Sequence, residues 1–249
     1  MNKEVVLSDR LKSAARMVTP GNRVVDVGCD HGFTSIYLVQ QGISPRCLAM
    51  DVRTGPLSRA REHVAEYQMD GYIETRLSDG LKEYRTDEAE AMLCCGMGGP
   101  LMCRILQDSS EKAKNFRELI LQPQSEVPAF RRSLRHQGYL ITDEDMVLED
   151  GKYYFIIHAI PASVEECIQR DDSGTAVSEE TQCLWDSFGR INLQRRHPVL
   201  AGYLEYRLNG LEDIERQMAG QMKERTMGRK AELEQERKLL KQALSTYFK

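Results

Sequence analysis

The sequence lacks several features that define other classes of protein. It has no run of about 18 or more apolar residues, and its first residues lack the apolar core of a signal peptide. Its seven cysteines include no C-x-x-C pair, which argues against a disulfide framework and against a zinc site. We therefore expect a cytoplasmic protein with reduced thiols, no membrane segment and no metal.

The sequence also lacks an overall excess of positive charge, but its charges are unevenly distributed. The formal net charge is −4 over 249 residues. From residue 189 to the end, 13 Lys and Arg stand against 8 Asp and Glu, so this part carries +5 and the remainder −9. A basic tail on an acidic body is compatible with a polyanionic partner, and a solvated helical surface explains the same charges equally well.

Strand-like and helix-like segments alternate over the first 160 residues. Apolar runs such as VVDV and MLCC are typical of parallel strands that are buried on both faces. A helix is expected over Pro100–Lys114, and two last strands are expected at Tyr139–Thr142 and Tyr153–Ile160. The pattern predicts an α/β fold with a doubly wound, Rossmann-like sheet, mostly parallel, whose last strands are antiparallel.

The C-terminal part changes to long helical patterns on both sides of Gly228. These patterns predict an α-helical coiled-coil hairpin with a turn near Thr226–Arg229, and one unbroken helix that dimerises is the alternative. We therefore expect an α/β domain over residues 1–161, a polar linker over 162–181 and a helical coiled-coil domain over 182–249. The protein would be a monomer, or a weak dimer through its C-terminal helices.

The glycine loop after the first strand departs from a phosphate-binding fingerprint. In a G-x-G-x-x-G motif that begins at Gly28, the other two glycines would stand at Asp30 and Phe33. A carboxylate at Asp30 repels a pyrophosphate, whereas S-adenosylmethionine has no phosphate and carries a sulfonium and an ammonium. The loop therefore predicts S-adenosylmethionine as the cofactor. Capping of the next helix also explains Asp30, and the two roles are compatible.

Further acidic and glycine residues follow the next strands. Asp51 ends the second strand, where an acid binds ribose hydroxyls, and Asp79 follows the third, where a plain Asp-Gly turn is the alternative. Gly96, Gly98 and Gly99 follow the fourth strand and leave room for cofactor and substrate to approach each other. The candidate cofactor-binding residues are Asp26, Gly28, Cys29, Asp30, His31, Asp51, Val52, Ser78, Asp79, Gly80, Cys95, Gly96 and Met97.

Basic residues on a predicted helix suggest contacts with nucleic acid. Arg131, Arg132 and Arg135 are spaced to form a basic edge for phosphates, although scattered solvated arginines give the same pattern. The candidate residues for contact with a nucleic-acid substrate are Arg10, Gly98, Gly99, Pro123, Arg131, Arg132 and Arg135.

Five motifs together resemble those of class I S-adenosylmethionine-dependent methyltransferases. More narrowly, the chain is similar to the bacterial family that methylates N1 of adenine 22 in tRNA. The motifs are L-S-D-R-L at 7–11, D-V-G-C-D-H-G at 26–32, S-D-G-L at 78–81, G-M-G-G at 96–99 and L-Q-P-Q at 121–124. The resemblance implies that Asp26, Gly28, Asp30, Asp51 and Asp79 surround the cofactor, with the 96–99 loop close to the reacting atoms. Cys29 stands where the family usually has serine.

The implied chemistry requires positioning more than acid–base groups. The in-plane lone pair of adenine N1 attacks the methyl group directly, provided that the base is unpaired or flipped into the pocket. Asp30 is the candidate catalytic residue, as a group that orients the base or the methyl donor. Two other functions remain open at this point: a methyltransferase that acts on a small molecule or a protein, and a non-catalytic RNA-binding module with this fold.

Overall fold

The computed structural model describes residues 4–168, 174–218 and 225–249. The chain divides into two compact units, residues 1–169 and 170–249. This division falls inside the segment 162–181 that the sequence predicts as a linker, and the last residues of that segment already belong to a helix that begins at Glu179.

The first unit is built on one seven-stranded sheet. Its strands are β1 (Val24–Val27), β2 (Cys47–Asp51), β3 (Ile73–Leu77), β4 (Ala91–Met97), β5 (Glu118–Pro123), β6 (Tyr139–Glu149) and β7 (Lys152–Pro161). They lie in the order β3-β2-β1-β4-β5-β7-β6. The first five strands are mutually parallel, and β7 is antiparallel to both β5 and β6. The predicted doubly wound sheet with antiparallel last strands is confirmed.

Helices cover both faces of this sheet. They are α1 (Asp9–Arg16), α2 (Phe33–Gln40), α3 (Thr54–Glu66), α4 (Gly99–Asp108), α5 (Ser110–Ala113) and α6 (Val127–His136). Successive strand residues point to opposite faces, so Val24 packs with α1, α2 and α3 whereas Val25 packs with α4, α5 and α6. The two apolar cores that result hold the carboxyl ends of β1 to β5 at one edge of the sheet.

Two predicted elements of this unit differ from the structure. The helix expected over Pro100–Lys114 is interrupted at Ser109, whose backbone is not helical, and forms α4 and α5 instead. The strand expected over Tyr139–Thr142 continues to Glu149. The sequence did not indicate this extension because the residues after Thr142 are acidic. The structure accommodates two of these acids through partners that are distant in the chain: Ser13 donates to Asp145, and Arg131 donates to Glu144.

The second unit is helical. It contains α7 (Glu179–Phe188), α8 (Arg190–Gln194), α9 (Pro198–Met218) and α10 (Arg225–Tyr247). The long helices α9 and α10 pack together, and Nε of Arg207 donates to Oε1 of Glu236 at 3.0 Å. Arg207 is as far from the last residue of α9 as Glu236 is from the first residue of α10, which is the arrangement expected of an antiparallel hairpin. One unbroken helix is therefore ruled out.

The predicted position of the hairpin turn was wrong. Thr226–Arg229 lies within α10, and the connection between the two long helices falls at residues 219–224, outside the described residues. Gly228 is tolerated inside the helix at a cost of about 1 kcal/mol relative to alanine. A lone glycine therefore did not indicate a turn here.

Candidate active site

A crevice of about 700 Å³ opens at the carboxyl edge of the sheet, beside β1, β2, β3 and β4. Every candidate cofactor-binding residue except His31 lines it. The crevice lies where doubly wound sheets bind ligands, because the loops on either side of β1 diverge there.

The glycine loop after β1 is held against the end of β2. The amides of Gly28 and Cys29 both donate to the carbonyl oxygen of Met50, at 2.8 and 2.9 Å. Gly28 has a φ of +78°, and a Cβ atom built on it would lie 2.1 Å from Cε of Met97. The backbone conformation favours glycine at this position, and any larger residue would also displace the end of the Met97 side chain.

Asp51 joins the ends of the first three strands. Its side chain is buried, and its two oxygens accept from the amides of Asp30 at 3.2 Å and Arg53 at 2.8 Å. Its carbonyl oxygen accepts from the amide of Ser78 at 2.9 Å. Each carboxylate oxygen has a second lone pair, so Asp51 retains capacity to accept from hydroxyl groups in the crevice.

Asp26 is the most deeply buried acid of the crevice. The hydroxyl of Ser35 donates to its Oδ2 at 2.8 Å. Burial raises the pKa of Asp26 to about 6, and the negative charge of Asp51 adds to this effect while the Ser35 hydrogen bond opposes it. A buried carboxyl group with a raised pKa favours a cationic neighbour in the crevice.

Asp79 and Asp30 are exposed at the rim. Nζ of Lys82 lies 2.5 Å from Oδ2 of Asp79, and this hydrogen bond, with the lysine charge, lowers the pKa of Asp79. Asp30 adopts a left-handed backbone conformation with a φ of +48°. Its carboxylate lies 3.6 Å from Nε2 of His31 and is largely open to solvent.

His31 does not line the crevice, so the structure gives no support to a cofactor contact there. Its ring stacks on Phe33, with 6.0 Å between the ring centroids, and lies 5.8 Å from the ring of His63 on α3. The backbone carbonyl of His31 is 2.9 Å from Nδ1 of His63. The side chain therefore belongs to an aromatic cluster between α2 and α3.

The cysteines of the site are protonated thiols. Burial raises the pKa of Cys29 and of Cys95, and the nearby Asp26 carboxylate raises both further. Because the thiolate is the reactive form, neither residue is a nucleophile at neutral pH.

The predicted tRNA-contact residues fall in three places. Arg10 lines the crevice. Gly98, Gly99 and Pro123 lie beside it but not on its wall; the amide of Gly99 donates to the carbonyl of Ser125 at 3.2 Å, and a Cβ there would approach that oxygen to 2.6 Å. These glycines allow the turn after β4 to pack closely against the loop after β5.

The predicted basic edge of α6 is wrong at Arg131, which is buried. Only 2% of this residue is exposed, its Nε donates to Oε1 of Glu144 at 2.8 Å, and its guanidinium lies 4.9 Å from the ring centroid of Phe155. It shares the buried face of α6 with Leu134, which makes it a core residue that cannot contact phosphates. Arg132 is exposed and Arg135 is half-buried.

Several crevice residues were not predicted from the sequence. They are Leu11, Val27, Thr34, Arg53, Leu101, Arg104 and Ile105. Leu101, Arg104 and Ile105 recur at helical spacing after the 96–99 loop, a signal that could have identified them. Among the described residues, no group of three His, Cys, Asp or Glu is arranged to hold a metal ion, and no described helix has the length and hydropathy to span a membrane.

The doubly wound sheet, the glycine loop and the acidic strand ends are typical of methyltransferases that use S-adenosylmethionine. The methyltransferase-domain family model matches residues 7–157, and the chain belongs to that family.

Similar proteins narrow the class. The chain is 32% identical over 156 residues to the tRNA (adenine(22)-N(1))-methyltransferase of Bacillus subtilis. The matched segment covers 63% of this chain and 66%, just under two thirds, of the B. subtilis protein. The solved structure of the B. subtilis m1A22 tRNA methyltransferase TrmK matches 97% of this chain and 100% of that one, with a TM-score of 0.80 and 26% identity. A proposed tRNA (m1A22) methyltransferase of Streptococcus pneumoniae, solved with S-adenosyl-L-methionine, matches 96% and 100%, with a TM-score of 0.80 and 27% identity.

Proposed function

We propose that this chain is an S-adenosylmethionine-dependent tRNA methyltransferase that transfers a methyl group to N1 of adenine 22. The observation that carries the proposal is the match over 97% of this chain and 100% of the solved B. subtilis tRNA methyltransferase. That match includes the helical unit, whereas a fold shared with small-molecule or protein methyltransferases needs only the sheet.

The residues of the crevice fit S-adenosylmethionine. Asp51 has free lone pairs for ribose hydroxyls, Asp79 lies where it would accept from an adenine amino group, and Asp26 and Asp30 place negative charge near the cationic end. The exposed side chains of Val52 and Leu101 offer an apolar surface for the adenine ring. When bound, the cofactor supplies a methyl group on a positively charged sulfur.

The chain itself contributes position and charge. Gly96 has a φ of +79° and no side chain, so the target base has open access at the end of β4. Adenine N1 needs no proton removed before it attacks, which agrees with the protonated state of the cysteines in the crevice. Asp30 is open to solvent at the glycine loop and would orient the base or the methyl donor as the candidate catalytic residue.

The tRNA would contact the rim of this crevice. The residues proposed for this surface are Arg10, Gly98, Gly99, Pro123, Arg132 and Arg135. Arg131 is removed from it because its side chain is buried. We further propose that the protein acts in the cytoplasm without a metal, as a monomer or a weak dimer through its C-terminal helices, with a linker within residues 162–181.

Methylation of a defined tRNA tests the function. The purified chain is incubated with methyl-labelled S-adenosylmethionine and a tRNA transcript, and the product is copied by reverse transcriptase. A methyl group on N1 blocks base pairing, so we expect incorporation of label and a stop at position 22. A transcript with guanine at 22 should show neither. Label that enters proteins or metabolites instead would favour the alternative methyltransferase, and failure to bind the cofactor in calorimetry would favour the RNA-binding module.

A further inference from the structure

Gln122 is a fully buried polar residue to which the site described above assigns no role. It lies near the carboxyl end of β5, with 0% of its surface exposed. A buried amide costs free energy unless it is hydrogen-bonded, so its partners identify what it holds in place.

The side-chain carbonyl of Gln122 accepts from two elements of the crevice. Nη1 of Arg10, on α1, donates to Oε1 at 3.0 Å, and the amide of Gly96 donates to the same oxygen at 3.2 Å. Its Nε2 donates to the carbonyl of Pro123 at 3.3 Å. One oxygen atom therefore ties α1 to Gly96 near the end of β4.

The amide of Gly96 is available to this side chain because β4 carries a bulge. Cys95 pairs with Gln122 and Met97 pairs with Pro123, so Gly96 is the extra residue between them. A bulged residue leaves the hydrogen-bond ladder and turns the strand at that point. The side chain of Gln122 takes the place of a ladder partner and fixes the orientation of the Gly96 peptide.

Arg10 is held from its other side by the β6–β7 hairpin. Its Nε lies 3.4 Å from Oε2 of Glu149, and its guanidinium lies 5.3 Å from the ring centroid of Tyr154. The remaining freedom of the guanidinium is removed by Gln122. Arg10 and Gly96, which both line the crevice, thus share one anchor.

We propose that Gln122 is a positioning residue for methyl transfer, which acts through Gly96 and Arg10 to fix the place of the target base. The proposal rests on the proposed function. A displacement of about 1 Å at a reacting pair lowers the rate by up to about 100-fold, so loss of this anchor affects turnover more than cofactor binding.

Three substitutions at one position test the role. Gln122→Met keeps the volume and removes the acceptor, Gln122→Asn withdraws the acceptor by one carbon, and Gln122→Glu keeps an acceptor oxygen in place. We expect kcat with tRNA to fall about 30-fold for the Met and Asn variants, with the Kd for S-adenosylmethionine within about threefold of the parent. Gln122→Glu should recover kcat to within about threefold. Gln137→Met, which removes a part-buried glutamine at the end of α6, is the control and should leave kcat unchanged.

Amide hydrogen exchange gives a measurement that needs no substrate. Exchange at Gly96 should accelerate at least about 10-fold in Gln122→Met and Gln122→Asn but not in Gln122→Glu. Unchanged Gly96 exchange together with parental kcat in the Met or Asn variant would overturn the proposal, and so would an equal loss in all three. If the unmodified protein fails to methylate tRNA, the proposed function fails, and the exchange result still decides whether Gln122 anchors Gly96.

Discussion

Two buried carboxylates at opposite edges of the same sheet have different surroundings. Glu118 begins β5 at the amino edge, and Asp26 lies near the end of β1 at the carboxyl edge; 3% and 4% of these residues are exposed. Glu118 accepts from the amide and hydroxyl of Thr19 and from Asn22, and Nε2 of His158 lies 2.9 Å from its Oε2. The carboxylate of Asp26 accepts a side-chain hydrogen bond from the hydroxyl of Ser35.

The partners decide the sign of each pKa shift. Burial alone would raise the pKa of Glu118, but hydrogen bonds from His158, Thr19 and Asn22 outweigh it and lower the pKa to about 2. Burial dominates at Asp26 and raises its pKa to about 6. A carboxylate with a full set of donors stabilises the fold, whereas one with few donors destabilises it and keeps lone pairs for a ligand. The difference separates a structural acid from a functional one.

The largest effect on ligand binding is expected at the carboxyl edge, in the affinity for the cofactor. Asp51→Ala removes the acceptor for ribose hydroxyls and frees the amides of Asp30 and Arg53, so the affinity for S-adenosylmethionine should fall about 100-fold, or ~2.7 kcal/mol. Titration calorimetry measures this. Asp51→Asn keeps one acceptor oxygen and should lose about 10-fold. Asp70→Ala, an exposed acid outside the crevice, is the control, and an Asp51→Ala variant that binds like this control would place the cofactor elsewhere.

The largest effect on stability is expected at the amino edge. The folded pKa of Glu118 is about 2 against an ordinary value of 4.5. Its contribution to the free energy of unfolding is therefore complete above pH 4.5 and is lost as the pH falls toward 2; this shift corresponds to about 3 kcal/mol. Glu118→Gln should destabilise the protein by about that amount at pH 7 and by much less at pH 3, in urea unfolding followed by circular dichroism. Glu83→Gln, on the surface, should change little, and a Glu118→Gln variant as stable as the parent at pH 7 would contradict the structural role.

The fold and most of the crevice were predictable because their signals are local. The carboxyl ends of parallel strands meet at one edge, so Asp26, Asp51 and Ser78 could be placed together from strand ends alone. The alternation of apolar strands and amphipathic helices supplied those ends. Asp30 needed a comparison with a phosphate-binding loop, which is still information carried by neighbouring residues.

The remaining features depend on partners that are distant in the chain. Arg131 resembles an exposed phosphate contact until Glu144 on β6 is known to neutralise it inside the core. The side-chain oxygen of Gln122 accepts from the bulge in β4 and from α1, both distant in the chain. His31 belongs to the glycine loop, but its ring packs with Phe33 and His63 and does not line the crevice. Helical or strand periodicity carries no information on such pairings.

The smallest expected effect has the opposite sign to that of Glu118 and tests the comparison most directly. Because the folded pKa of Asp26 is about 6 against an ordinary 3.8, its stabilising contribution is present below pH 3.8 and is lost as the pH rises through 6. Asp26→Asn removes this loss but buries an amide, so we expect a net gain of about 1 kcal/mol at pH 7 and an affinity for S-adenosylmethionine about 10-fold weaker. Ser35→Ala is the matched control: it removes the hydroxyl that donates to Asp26 and should destabilise the protein at pH 7. If Asp26→Asn instead destabilises the fold as Glu118→Gln does, Asp26 is a structural acid, and the number of donors does not distinguish the two edges of the sheet.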